Sequence, residues 1–176
     1  MNSNKNAIAQ KRELTEVKDV ADSLYEAAGK LTDTSASKSL FKKADKVTND
    51  ITSAVKDYVK NYNSLIEEAA DTTNSKVTGK VSFMTGQANA YKSSLEKVGI
   101  TINSDKTLSI DEDTFKKSDI SDVKKLFNGS GSMAYQTFVR ASDISSAAEN
   151  ASASVTSYGA DGMYNNYYNS AYNWYL

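Results

Sequence analysis

The sequence predicts a mainly α-helical protein: an elongated antiparallel helical bundle or coiled coil with a small β-hairpin insertion. Three observations carry this. Apolar residues recur at the 3- and 4-residue spacing of helix seams over most of the chain. Proline is absent from all 176 residues, so no helix is broken by a missing N–H. Around residues 100–110 two short runs alternate apolar with polar, which is the period of strands. The expected organisation is one body, a helical bundle over 1–158 with its hairpin at about 100–110, and a Tyr/Asn-rich tail over 159–176.

The first helix is predicted from Leu14, Val17, Ala21, Leu24, Ala28 and Leu31, which step 3, 4, 3, 4, 3. Ser3 or Asn4 is placed to cap its start, and Gly29 lies near its end. Thr32–Ser39, "TDTSASKS", reads as a polar loop whose side chains compete with helical hydrogen bonds. A second seam, Leu40, Ala44, Val47, Ile51, Ala54, Tyr58, Leu65 and Ala69, predicts a helix of about thirty residues, interrupted at Asp71–Ser75, where Asn74 or Ser75 caps the next. The third seam, Val77, Val81, Met84, Ala88, Tyr91, Leu95 and Val98, is unbroken and stops at Gly99, a candidate left-handed residue.

Ile100-Thr-Ile102 and Leu108-Ser-Ile110 then form the predicted hairpin, joined by Asn103–Lys106. Ile100, Ile102, Leu108 and Ile110 share one face, and because an isolated two-stranded hairpin is marginal in water, that face is expected to rest on the helices. Asp111 caps a short helix; Ser118 or Asp119 starts another, with Ile120, Val123, Leu126 and Phe127 on one side and Gly129 at its end. "GSGS" at 129–132 reads as a flexible link. A last helix from about Met133 places Ala141, Ile144, Ala148, Ala151, Val155 and Tyr158 on one seam, whose small residues call for a closely approaching partner.

The composition weighs against several functions. There is no histidine, the usual general base near neutral pH and the commonest metal ligand, and no cysteine. No glycine-rich phosphate loop or nucleophile elbow occurs, so no catalytic, cofactor-binding or metal-ligating residues are assigned. Glu67 with Glu68, and Glu112 with Asp113, are carboxylate pairs among lysines and read as solvated helix surface. Asn103, Asp105, Thr107, Ser109 and Asp111 alternate oxygens like a calcium loop, but Leu108 and Thr114 stand where such a loop needs glycine and glutamate, so turn and cap chemistry is the better reading. With a net charge of −1 and no basic stripe, nucleic acid is not an expected partner. No membrane insertion is expected, and the N-terminal "MNSNKNAIAQKRELTEV" shows no apolar signal region.

The segment Tyr158–Leu176 holds six of the eleven tyrosines and the sole tryptophan, set among Asn, Gly and Ser. Two readings stand side by side: a loosely ordered terminus, or a docking segment in which Tyr158, Tyr164, Tyr167, Tyr168, Tyr172, Trp174 and Tyr175 contact a partner.

Residues Leu95–Phe127 resemble the C-terminal part of the flagellar filament cap protein family, also called hook-associated protein 2. Its pattern L-x-x-[IL]-G-I-[TS], then D-G-T-L-x-[FVIL]-D-x-x-x-[LF] and V-x-x-L-F, is matched by Leu95, Val98, Gly99, Ile100, Thr101, Asp105, Thr107, Leu108, Ile110, Asp111, Phe115, Val123, Leu126 and Phe127. Lys106 takes the place of the turn glycine. Upstream, Val55, Val59, Tyr62, Asn63 and Leu65 match the family's V-x-x-F-V-x-x-Y-N-x-L helix. The likeness covers roughly Val47–Phe138 and implies a reduced form without the family's head domains. It implies a non-enzymatic structural or assembly protein of the bacterial flagellum or cell surface, exported without a cleaved signal, whose partners are its own copies or flagellar and surface proteins. The alternative is a soluble coiled-coil binding module, or a surface adhesin that uses its aromatic tail.

Overall fold

The computed structural model describes residues 2–35 and 37–157. They form a mainly helical fold with one two-stranded antiparallel sheet. In chain order these are α1 (Asn2–Thr32), α2 (Asn49–Asp71), α3 (Ser75–Ala88), a 3₁₀ turn (Asn89–Tyr91), α4 (Lys92–Lys97), β1 (Ile100–Ile102), β2 (Leu108–Ile110), α5 (Glu112–Lys117), α6 (Ile120–Phe127) and α7 (Met133–Ser157).

The first seam is buried as predicted: Leu14, Val17, Ala21, Leu24, Ala28 and Leu31 are all inaccessible to solvent. Helix α1 already begins at Asn2, upstream of the expected caps Ser3 and Asn4. Its main partner is α7. Ser145 Oγ donates to Asp22 Oδ1 at 2.6 Å, while Phe138 stacks on Tyr25 with ring centroids 4.2 Å apart. Higher numbers on α1 thus meet lower numbers on α7, so the two run antiparallel. The approach is close enough that a Cβ on Gly29 would lie 3.3 Å from the Phe138 ring. Ala134, Ala141, Ile144 and Ala148 of α7 are buried; Ala151 and Val155 are half-buried, and Tyr158 lies outside the described residues.

Two predicted helices are shorter than their seams. The second was expected to begin at Leu40, but α2 starts at Asn49 because Thr48 is extended and caps it, its Oγ1 accepting from Ile51 N at 3.2 Å. Residues 40–47 are turns that bury Phe41 and half-bury Leu40, Ala44 and Val47. The 4, 3 spacing there marks contact with the core without helix. The third seam, expected as one helix, is broken by the 3₁₀ turn, which rotates each residue further than an α-helix does. Val77, Val81, Met84, Ala88, Leu95 and Val98 are nevertheless buried, and Tyr91 is half-buried.

Asn74 caps α3 through Lys76 N and Val77 N, Asp111 caps α5 through Thr114 N, and Asp119 caps α6 through Ser121 N. Residues 129–132, expected as a flexible link, form a hydrogen-bonded turn. Gly129 has φ +84°, Ser132 Oγ donates to Gly129 O at 2.8 Å, and Tyr135 N donates back to Ser132 Oγ at 3.1 Å.

Gly99 adopts φ +77° as predicted, and a Cβ there would lie 2.9 Å from the Thr114 side chain. Lys106 has φ 73° at the hairpin turn, a conformation a glycine adopts freely. Gly99→Ala is expected to lower stability by at least about 2 kcal/mol, the left-handed penalty plus the clash. Lys106→Gly is expected to raise it by about 0.5–1 kcal/mol, once glycine's greater unfolded freedom is subtracted. Urea denaturation with unchanged m-values checks both.

Candidate interaction surfaces

Strands β1 and β2 pair Ile100 with Ile110 and Ile102 with Leu108. All four predicted side chains lie on one face, with Thr101 and Ser109 exposed on the other. Ile100 and Leu108 are buried, while Ile102 and Ile110 are half-buried against the core. A one-residue slip would exchange this face for Thr101 and Ser109, so the register depends on burial.

A side chain of α2 completes the hairpin. Asn63 Nδ2 donates to Leu108 O at 2.9 Å and Leu108 N donates to Asn63 Oδ1 at 2.7 Å. The amide thus acts as a third strand one residue long. Burying Ile100 and Leu108 stabilises the contact by about 1.5–3 kcal/mol each, whereas the two hydrogen bonds add about 1 kcal/mol each net. Burial therefore holds the hairpin down, and Asn63 fixes where it sits.

Two charged clasps surround this contact. Glu112 of α5 takes Lys116 at 2.6 Å and Lys56 of α2 at 2.7 Å, and Asp122 of α6 takes Lys97 of α4 at 2.6 Å. The Lys116 hydrogen bond, seconded by that from Lys56, holds the Glu112 carboxyl at about 2, well below its ordinary value. The Lys97 hydrogen bond likewise lowers Asp122. Beneath them, Phe127 meets Tyr58 edge-on at 5.7 Å and Phe115 at 6.4 Å. Tyr58 shares a 2.8 Å hydrogen bond with Thr137 of α7, while burial drives its hydroxyl pKa upward.

The calcium-like oxygens serve the turn. Asp105 Oδ1 accepts from Thr107 N and Oγ1, Asn103 Nδ2 donates to Thr107 Oγ1 and Ser109 Oγ, and Asp111 caps α5. Among the described residues no helix is long and apolar enough to cross a membrane. The predicted partner residues Tyr158, Tyr164, Tyr167, Tyr168, Tyr172, Trp174 and Tyr175 lie outside the described residues.

The structure adds surfaces that the seams did not announce. Tyr25, Phe138 and Tyr135 form a stacked ridge across α1 and α7, and Tyr25 and Tyr135 are each 38% exposed. On α3, Phe83 is 54% exposed and carries the Arg140 guanidinium 4.8 Å above its ring. Tyr25, Phe83 and Tyr135 were legible as large aromatics off the seams; their grouping was not.

Compared with protein-family models, with curated proteins and with solved structures, the chain has no match. The likeness to flagellar cap proteins therefore rests on the motif residues alone.

Asn63→Ala leaves the N–H and C=O of a buried residue unpaired and is expected to lower stability by about 2–4 kcal/mol. Faster hydrogen exchange of the Leu108 amide is the specific signature. The clasps set a pH dependence. Because Glu112 titrates lower folded than unfolded, its contribution is complete above the unfolded value of 4.5 and is lost as pH falls through about 2. Glu112→Gln is expected to flatten the acid limb of a stability–pH profile measured by denaturant titration.

Proposed function

We propose that this chain is a non-enzymatic structural or assembly component, a reduced relative of flagellar filament cap proteins without their head domains, exported to the bacterial flagellum or cell surface. Its partners are further copies of itself or flagellar and surface proteins. One observation supports this reading above the rest. The two separate segments that carry the resemblance, Val55–Leu65 and Leu95–Phe127, meet at the Asn63–Leu108 hydrogen bonds. The matched residues thus describe one packed unit, with Tyr62, Leu65, Ile100, Leu108, Phe115 and Phe127 all in its core. Assembly would use surfaces left over from that unit: the small-residue flank of α7 and the aromatic tail.

A second reading, a soluble binding module or adhesin, is favoured by the stacked ridge of Tyr25, Phe138 and Tyr135, since clustered exposed aromatics suit glycan or protein recognition.

Light scattering over a range of concentrations separates the two. The assembly reading predicts concentration-dependent oligomers, or a complex with flagellin or a hook-associated protein, that is lost when Tyr158–Leu176 is deleted. A strict monomer that binds none of these contradicts it, and surface binding that disappears with the tail while assembly persists supports the adhesin.

A further inference from the structure

Between the end of α2, α3 and the hairpin turn the fold leaves a cleft of about 310 Å³, at the lower end of the size range of small-molecule sites. Its floor is apolar: Ile66, Ala69 and Ala70 of α2 and Val81 of α3. Its rim carries hydrogen-bond donors. Thr72 Oγ1 accepts from Asn74 N at 3.3 Å, and its own proton has no acceptor among the described residues. The Ser82 hydroxyl has no partner among them at all. Thr78 and Thr85 also line the cleft, but their hydroxyls donate to the carbonyls of Ser75 and Ser82 in their own helix. The described lining contains no carboxylate.

Lys106 closes the cleft from the turn. Its backbone φ of 73° is left-handed, a conformation that glycine adopts freely and that strains any residue with a Cβ. The chain thus bears strain to hold a long ammonium arm at this point. Lys106 makes no ion pair among the described residues, and the carboxylate next to it in sequence, Asp105, already accepts from Thr107 N and Oγ1.

We propose that this cleft binds a small carboxylate with a short apolar body, of the class of medium-chain aliphatic acids. The carboxylate accepts from Lys106 Nζ and from the hydroxyls of Thr72 and Ser82, while the hydrocarbon lies on Ile66, Ala69, Ala70 and Val81. One cation in the lining matches one negative charge. A cationic ligand is repelled by Lys106, and an uncharged one gains nothing from it. The site needs no second copy, so it stands or falls separately from assembly.

Titration of the full chain with hexanoate, followed by amide proton–nitrogen NMR spectra, tests this. The expected result is saturable shifts of the Ala70, Thr72, Ser82 and Lys106 amides with a Kd on the order of 1 mM. Hexanol, which lacks the charge, and acetate, which lacks the chain, are each expected to bind about tenfold more weakly. Lys106→Gly removes the ammonium while easing the turn, and is expected to weaken hexanoate by about tenfold, whereas Lys106→Arg retains binding. Ser82→Ala, at an exposed helix position, is expected to weaken it by about threefold. If Lys106→Gly loses the native spectrum, Lys106→Gln decides in its place. The proposal is overturned if no saturable shift occurs at these amides, if hexanol or acetate binds as tightly as hexanoate, or if the deciding substitution leaves the affinity unchanged.

Discussion

The close antiparallel contact between the first and last helices is the constraint on which the rest of the fold depends. Both helices bury small residues, Ala21 and Ala28 on α1 and Ala134, Ala141 and Ala148 on α7, and Gly29 of α1 lies directly against Phe138 of α7. Alanine seams let helix axes approach, but each alanine buries little apolar area, so stability depends on many residues acting in register. The polar contact of Ser145 with Asp22 and the stacking of Phe138 on Tyr25 fix that register at two separate levels. Helices α2 and α3 then pack on this pair, and the larger side chains Tyr58, Tyr62, Phe115 and Phe127 fill the wider space under the hairpin.

The hairpin unit shows a division of labour between strong and specific interactions. Two strands of three residues have no stability of their own. Burial of Ile100 and Leu108 supplies the energy, Asn63 supplies the position, and the solvent-screened surface clasps through Glu112 and Asp122 are secondary to both. Two buried polar atoms depart from this economy of pairing: the Tyr62 hydroxyl and Asn128 Nδ2 have no hydrogen-bond partner among the described residues, and burial pushes the Tyr62 pKa upward.

Helix seams, the left-handed Gly99, the hairpin and the caps Asn74, Asp111 and Asp119 were all legible in the sequence, because each depends on local chemistry or on a period of two or about 3.5 residues. Helix ends were not legible where an apolar period outran the helix. Leu40, Ala44 and Val47 keep the spacing yet lie in turns, since Thr48 provides a better start, and the Val77–Val98 seam passes through a 3₁₀ turn without losing its buried face. The candidate surfaces were only partly legible. The apolar face of the hairpin followed from alternation, but Asn63 was visible only as a letter in a motif, because its role depends on a partner 45 residues away.

The central claim is that the terminal helices close the fold as one cooperative unit despite the thinness of an alanine seam. Native-state hydrogen exchange on the full chain tests it most directly. The account predicts that amides of Leu14–Leu31 and Ala134–Ala148 exchange with the same free energy as global unfolding. Exchange of the α7 amides through a local opening, while α1 and α2 stay protected, would contradict it.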